Sequence, residues 1–176
     1  RPVKTPGRGR TVTELVRRAS QGDTEAFVSL MEAQKQSFYK IARSFLCRDE
    51  DVADAVQETV LICFEKLGQL RQPDYFRTWA TRILINVCQD MLRARRRVMP
   101  VETVPERAEP DAGQANAEFL AMLDSIDEKY RTVLLLYYGE GFSVREISTL
   151  LSLNEETVKT RLKRGRGAVR LAYEAE

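Results

Sequence analysis

Histidine is absent from this chain of 176 residues, and its three cysteines, Cys47, Cys63 and Cys88, form no CxxC pair. Those absences remove the common zinc sites, the Ser/His/Asp triad and the Cys/His nucleophile pair. Without partners, the thiols read as small buried hydrophobes. Neither GxGxxG nor GxxxxGK[ST] occurs, so no glycine-rich loop is available to cradle a phosphate. No apolar run approaches the roughly 20 residues that cross a bilayer, and the basic opening RPVKTPGRGR is followed by no apolar core. The expectation is a soluble, cytoplasmic protein with no membrane insertion, no metal and no cofactor, and not an enzyme.

What is present is charge, and it is segregated. The net charge is only +2, yet residues 1–22 carry six basic side chains and one acidic, 100–118 one and five, and 119–176 nine and nine. Basic clusters in a near-neutral chain suit local nucleic-acid contacts better than a generally cationic coat does.

The apolar residues recur at helical spacing. One segment carries Phe27, Leu30, Met31, Phe38, Ile41 and Phe45, a second Val52, Val56, Val60, Cys63 and Leu67, and a third Phe76, Trp79, Ala80, Ile83 and Val87. No strand pattern competes with them. The stretch 100–118, with three prolines and five acids, reads as a flexible linker. The expected fold is therefore all-α: a basic, unstructured arm at 1–11, a helical bundle at 12–99, the linker at 100–118 and a second small helical domain at 119–176.

In that second domain Asp127 stands ready to cap a helix carrying Tyr130, Val133, Leu134 and Tyr137. Ser143 to Glu146 (SVRE) fits a capping box opening a short helix with Ile147, Leu150 and Leu151 inward. A turn at Ser152–Asn154 leads into a strongly basic last helix, capped by Asn154. Two helices across so short a turn, the second basic, make a helix-turn-helix signal.

Three helix faces invite function. A rotation of 100° per residue sets Asp54, Gln57, Glu58, Leu61 and Glu65 together, opposite the apolar stripe. By periodicity alone this reads as a solvated face with one leucine. On the third helix Arg82, Asn86, Gln89, Arg93 and Arg96 follow at three- and four-residue steps beside Trp79. That arrangement suits phosphate binding and stacking on single-stranded DNA, and equally a solvated basic face. On the last helix Lys159, Lys163, Arg166 and Arg170 form one stripe, the pattern of a helix that enters a major groove.

The order of these parts, over roughly residues 12–173, resembles the extracytoplasmic-function sigma factors of the sigma-70 family. DVADAVQETVLICFEKL (51–67) looks like the region 2.2 helix that docks on the clamp coiled coil of core RNA polymerase, with Asp54, Gln57 and Glu58 at the family's Asp-x-x-Gln-Glu positions. FRTWATRILINVCQDMLRARRR (76–97) looks like regions 2.3 and 2.4, and residues 126–170 like region 4. The resemblance implies a promoter-recognition subunit, with core polymerase, promoter DNA and an anti-sigma factor as partners. It turns the Asp54, Gln57, Glu58, Leu61 face into a polymerase site. It implies −10 contacts from Asn86 and from the loop Leu70 to Tyr75, which includes Arg71, beside Arg82, Arg93 and Arg96. It implies −35 contacts from Lys159, Thr160, Lys163 and Arg164, alongside Arg166. The alternative is a one-component helix-turn-helix regulator acting without polymerase. Four positions depart from the family pattern: Tyr137, Ser152 in place of a turn glycine, and Gly165 and Gly167 inside the last helix, each glycine expected to cost up to about 1 kcal/mol relative to alanine.

Overall fold

A computed structural model describes residues 8–98, 122–123 and 125–174. The linker at 100–118 lies outside the described residues, as do residues 1–7. Helix α1 runs Arg8–Ser20, so it takes in the last four residues assigned to the arm. Then come α2 (Thr24–Phe45), α3 (Asp49–Lys66), two short 3-10 turns (Leu67–Gln69 and Pro73–Tyr75) and α4 (Phe76–Val98). Further along the chain α5 (Glu128–Leu134) passes into a π turn (Leu135–Gly139), followed by α6 (Val144–Leu151) and α7 (Glu155–Glu174). No strand occurs among the described residues.

The caps are side chains. Asp23 closes α2 by accepting from the Ala26 amide at 3.0 Å and pairs with Arg18 at 2.7 Å. The Ala26 amide and the Arg18 guanidinium hold its carboxyl below the usual range. The cap's contribution is thus present above ordinary carboxylate pKa values and is lost as pH falls through the lowered one. Asp49, Glu50 and Asp51 put negative charge on the N-terminal turn of α3, where the helix dipole favours it. Asp49 also neutralises the buried Arg43 guanidinium, and Asp51 takes Arg95 of α4 at 2.8 Å, tying the ends of α3 and α4 together.

The buried stripes are rotated from those the sequence suggests. On α3 the fully buried residues are Val52, Ala55, Thr59 and Cys63, while Val56 and Val60 are half-buried. Small residues win the inner face because α3 packs closely against both α2 and α4. The Thr59 hydroxyl is satisfied by donating to the Ala55 carbonyl at 2.7 Å, so a polar residue sits in the core without an unpaired donor. On α4 the core takes Phe76, Ala80, Thr81, Leu84, Ile85, Val87 and Cys88, and leaves Trp79 and Ile83 half-buried. Burial pushes the Cys63 and Cys88 thiols up to about 12, which makes them poor nucleophiles.

The helix-turn-helix forms as its punctuation predicts. Ser143 and Glu146 complete both halves of the capping box. Ser152 takes the left-handed conformation at φ 54°, and Asn154 accepts from the Thr157 amide at 2.7 Å. Gly165 corrects the expectation of a mere helix-weakening residue: a Cβ there would meet Leu134 Cδ1 at 3.0 Å and Tyr130 Cβ at 3.3 Å. It is the point where α7 crosses α5. Nothing lies within 4 Å of a Cβ at Gly167, so the two glycines are not equivalent. Gly165→Val is expected to lose about 1–3 kcal/mol of stability through overpacking, whereas Gly167→Ala should gain up to about 1 kcal/mol. Urea unfolding of the two variants checks the contrast.

Candidate nucleic-acid and protein interfaces

On α3 the structure leaves Asp54, Gln57, Glu58, Leu61 and Glu65 all exposed, with the carboxylates surrounding an apolar centre. Leu61 is 59% exposed, and Phe64, which the sequence pattern assigned to neither face, is 61% exposed. The Phe64 ring rests edge-on against Phe27, centroids 5.2 Å apart, which holds it in place without hiding it. Phe64 stands three residues after Leu61, so helical spacing already put it on this side; its assignment to neither face is why it was overlooked.

On α4, Arg82, Asn86, Arg93 and Arg96 are exposed along one side, and Gln89 is half-buried. Arg93 pairs with Asp90 at 3.1 Å. Trp79 tilts against Phe76, with ring centroids 6.1 Å apart, so its packing role holds while part of the indole remains accessible. Ahead of α4, Leu70 is half-buried and Arg71, Gln72, Asp74 and Tyr75 are exposed. This loop is braced from a direction the sequence did not announce: Thr13 of α1 donates to Asp74 at 2.7 Å, and α1 packs along both 3-10 turns.

On α7, Lys159, Thr160, Lys163, Arg164, Arg166 and Arg170 are exposed, opposite the buried Val158, Leu162 and Gly165. The cations differ in readiness. Lys159 is engaged by Glu156 at 2.7 Å, which raises its pKa. Arg170 pairs with Glu174 at 2.8 Å. Arg166 donates to the Tyr138 hydroxyl at 3.1 Å and so leans toward the end of the π turn. Lys163 and Arg164 carry no such pairing among the described residues. No group of His, Cys, Asp and Glu side chains suited to a metal occurs among the described residues, and no helix there is long and apolar enough to cross a membrane.

An all-helical protein with an exposed acidic and apolar helix face, a long basic helix and a helix-turn-helix is built as a DNA-binding subunit that also docks on another protein. Residues 30–98 match Sigma-70 region 2, and residues 116–169 match Sigma-70, region 4. The chain is 30% identical over 166 residues to the RNA polymerase sigma factor NccH of Alcaligenes xylosoxydans xylosoxydans, covering 86% of this chain and 89% of that one. It is 28% identical over 152 residues to the RNA polymerase sigma factor SigV of Bacillus subtilis, covering 85% and 92%. Among solved structures, CnrH in complex with the cytosolic domain of CnrY superposes with a TM-score of 0.69 at 26% identity, over 94% of this chain and 99% of that chain. The sigma factor RpoE of Bartonella quintana, in complex with the anti-sigma factor NepR, gives 0.70 at 18% identity over 85% and 98%, a likeness of fold. The chain belongs to the sigma-70 family of RNA polymerase sigma factors, in its extracytoplasmic-function group. It is a promoter-specificity subunit of RNA polymerase, which decides against the one-component regulator.

Proposed function

We propose a division of labour among the three exposed faces. Asp54, Gln57 and Glu58, around the apolar centre Leu61 and Phe64, grip a basic helical surface on the polymerase clamp. Asn86 and the Leu70–Tyr75 loop hold an unstacked −10 base, with Arg82, Arg93 and Arg96 on the neighbouring phosphates. Lys163, Arg164, Thr160 and Lys159 enter the −35 major groove, and Arg166 reaches the backbone at its edge. Residues 12–99 and 119–176 are the two units, with 100–118 between them, and the protein works in the cytoplasm. Its role is binding: nucleotide chemistry belongs to the core enzyme. An anti-sigma factor is the natural antagonist, since the solved relative from Bartonella quintana is held by one.

The observation that carries this reading is the exposure of all three faces on a single fold, each with its own chemistry: carboxylates around apolar residues, guanidinium and amide, and paired against unpaired cations. Reconstitution with core polymerase tests it, because promoter-directed initiation should depend on the added chain. Within that assay Lys163→Ala should reduce the slope of log affinity against log salt by about 0.9 if Lys163 neutralises one phosphate. If it reads a base instead, the slope stays and −35 preference relaxes. A variant with neither effect removes Lys163 from the interface.

A further inference from the structure

We infer that α1 is a positioning element for promoter recognition: through the hydrogen bond from Thr13 to Asp74 it fixes the shape of the Leu70–Tyr75 loop and thereby sets base preference in the −10 element. This role rests on the assignment of that loop to the −10 element. The match to Sigma-70 region 2 begins at residue 30, so α1 lies upstream of every residue to which that match gives a role. The loop is anchored at its two ends and open between them. Leu67 and Phe76, both buried, tie it to the bundle. Inside it the Leu70 amide donates to the Leu67 carbonyl and the Tyr75 amide to the Gln72 carbonyl, each at 3.0 Å. Both bonds join residues three apart, so they shape each 3-10 turn without fixing one turn against the other. Arg71, Gln72, Asp74 and Tyr75 are exposed, and an exposed stretch held by local bonds opens easily.

A constraint from outside the loop comes from α1. The helix packs along both 3-10 turns, and its Thr13 hydroxyl donates to the Asp74 carboxylate at 2.7 Å across 61 positions of sequence. Thr13 is half-buried, and its branched Cβ limits the hydroxyl to few rotamers. The helix that carries it is itself fixed. Val16, one turn after Thr13, is buried in the core. Near the other end Arg18 grips Asp23, the N-cap of α2, through two bonds of 2.9 and 2.7 Å. The bond from Thr13 thus connects the middle of the loop to the rigid part of the bundle. Asp74 adjoins Tyr75, whose side chain is 60% exposed, so fixing the carboxylate also fixes where that ring points. A recognition site discriminates when its groups are held to within about 0.5 Å, and this contact supplies such restraint to a wall of the −10 site. Thr13 meets no base in this scheme; it acts through Asp74.

The test uses holoenzyme reconstituted from the full-length chain and core polymerase, selected on a promoter library randomised across the −10 element. Thr13→Val keeps the shape and removes the hydroxyl, Thr13→Ser keeps the hydroxyl, and Asp74→Ala removes the acceptor. Glu14→Gln, at an exposed neighbour on α1, is the control. Thr13→Val is expected to lower discrimination at one −10 position by about two- to tenfold, the range that one net hydrogen bond supports. Thr13→Ser and Glu14→Gln should stay close to wild type, and polymerase affinity and the urea midpoint should not move. In the Asp74→Ala background Thr13→Val should add nothing, because the two side chains act as a unit. Unchanged discrimination in Thr13→Val, or an equal effect of it in the Asp74→Ala background, would overturn the role of α1. A lowered urea midpoint with unchanged discrimination would overturn it too, since the bond would then only hold the fold together. Arg71→Ala and Tyr75→Ala separate this from the loop assignment. If they alter −10 preference while Thr13→Val does not, only the role of α1 falls; if they do not alter it either, the loop is not part of the −10 site and both readings fall.

Discussion

Replacing Asp54 and Glu58 together by alanine is expected to lower affinity for core RNA polymerase by at least two orders of magnitude and to leave stability nearly unchanged. Truncating one partner of a desolvated, charge-assisted pair costs about 2–5 kcal/mol, largely because the other charge is left buried and unpaired. Desolvation is supplied here by Leu61 and Phe64, which are exposed in the free protein and would exclude water around the carboxylates on docking. Asp54 and Glu58 are themselves exposed on α3, and substitutions at exposed helix positions usually change stability by no more than about 0.5 kcal/mol. Anisotropy titration of labelled protein with core polymerase measures the loss, and a urea melt measures the stability. Unchanged affinity in a folded double variant removes this face from the interface. Phe64→Ala should weaken the same complex, which separates a desolvated contact from simple long-range attraction between charges.

Asn86→Ala should impair promoter melting while leaving polymerase affinity intact. An amide offers both a donor and an acceptor, which reading an exposed base edge requires. Extruding a base costs a few kcal/mol, so losing its hydrogen bonds should slow open-complex formation by roughly ten- to a hundredfold. Asn86 is exposed, and the buried side of α4 is taken by Leu84, Ile85 and Cys88, so the substitution spares the fold. Permanganate reactivity of the −10 thymines reports melting, and a −10 base-substitution series reports specificity. Normal melting with the same −10 preference would move the pocket to another residue.

The sequence by itself determined the helical class, both halves of the capping box at Ser143 and Glu146, the Asn154 cap, and the exposed charged faces of α3, α4 and α7. These follow from local rules: capping atoms act within one turn, and a helix face repeats every three or four residues. Tertiary structure alone decided which of two adjacent stripes became the core. Thr59 and Ala55 displaced Val56 and Val60 because close packing of α3 on two helices rewarded small size over hydrophobicity. It decided the meaning of Gly165, whose missing side chain is filled by Leu134 of α5. It also braced the loop through Thr13 and Asp74, and brought Ser37 and Arg77 to Glu140. Such contacts join residues from 61 to 103 positions apart, a separation over which no periodicity carries information, so they exist only once the helices have packed.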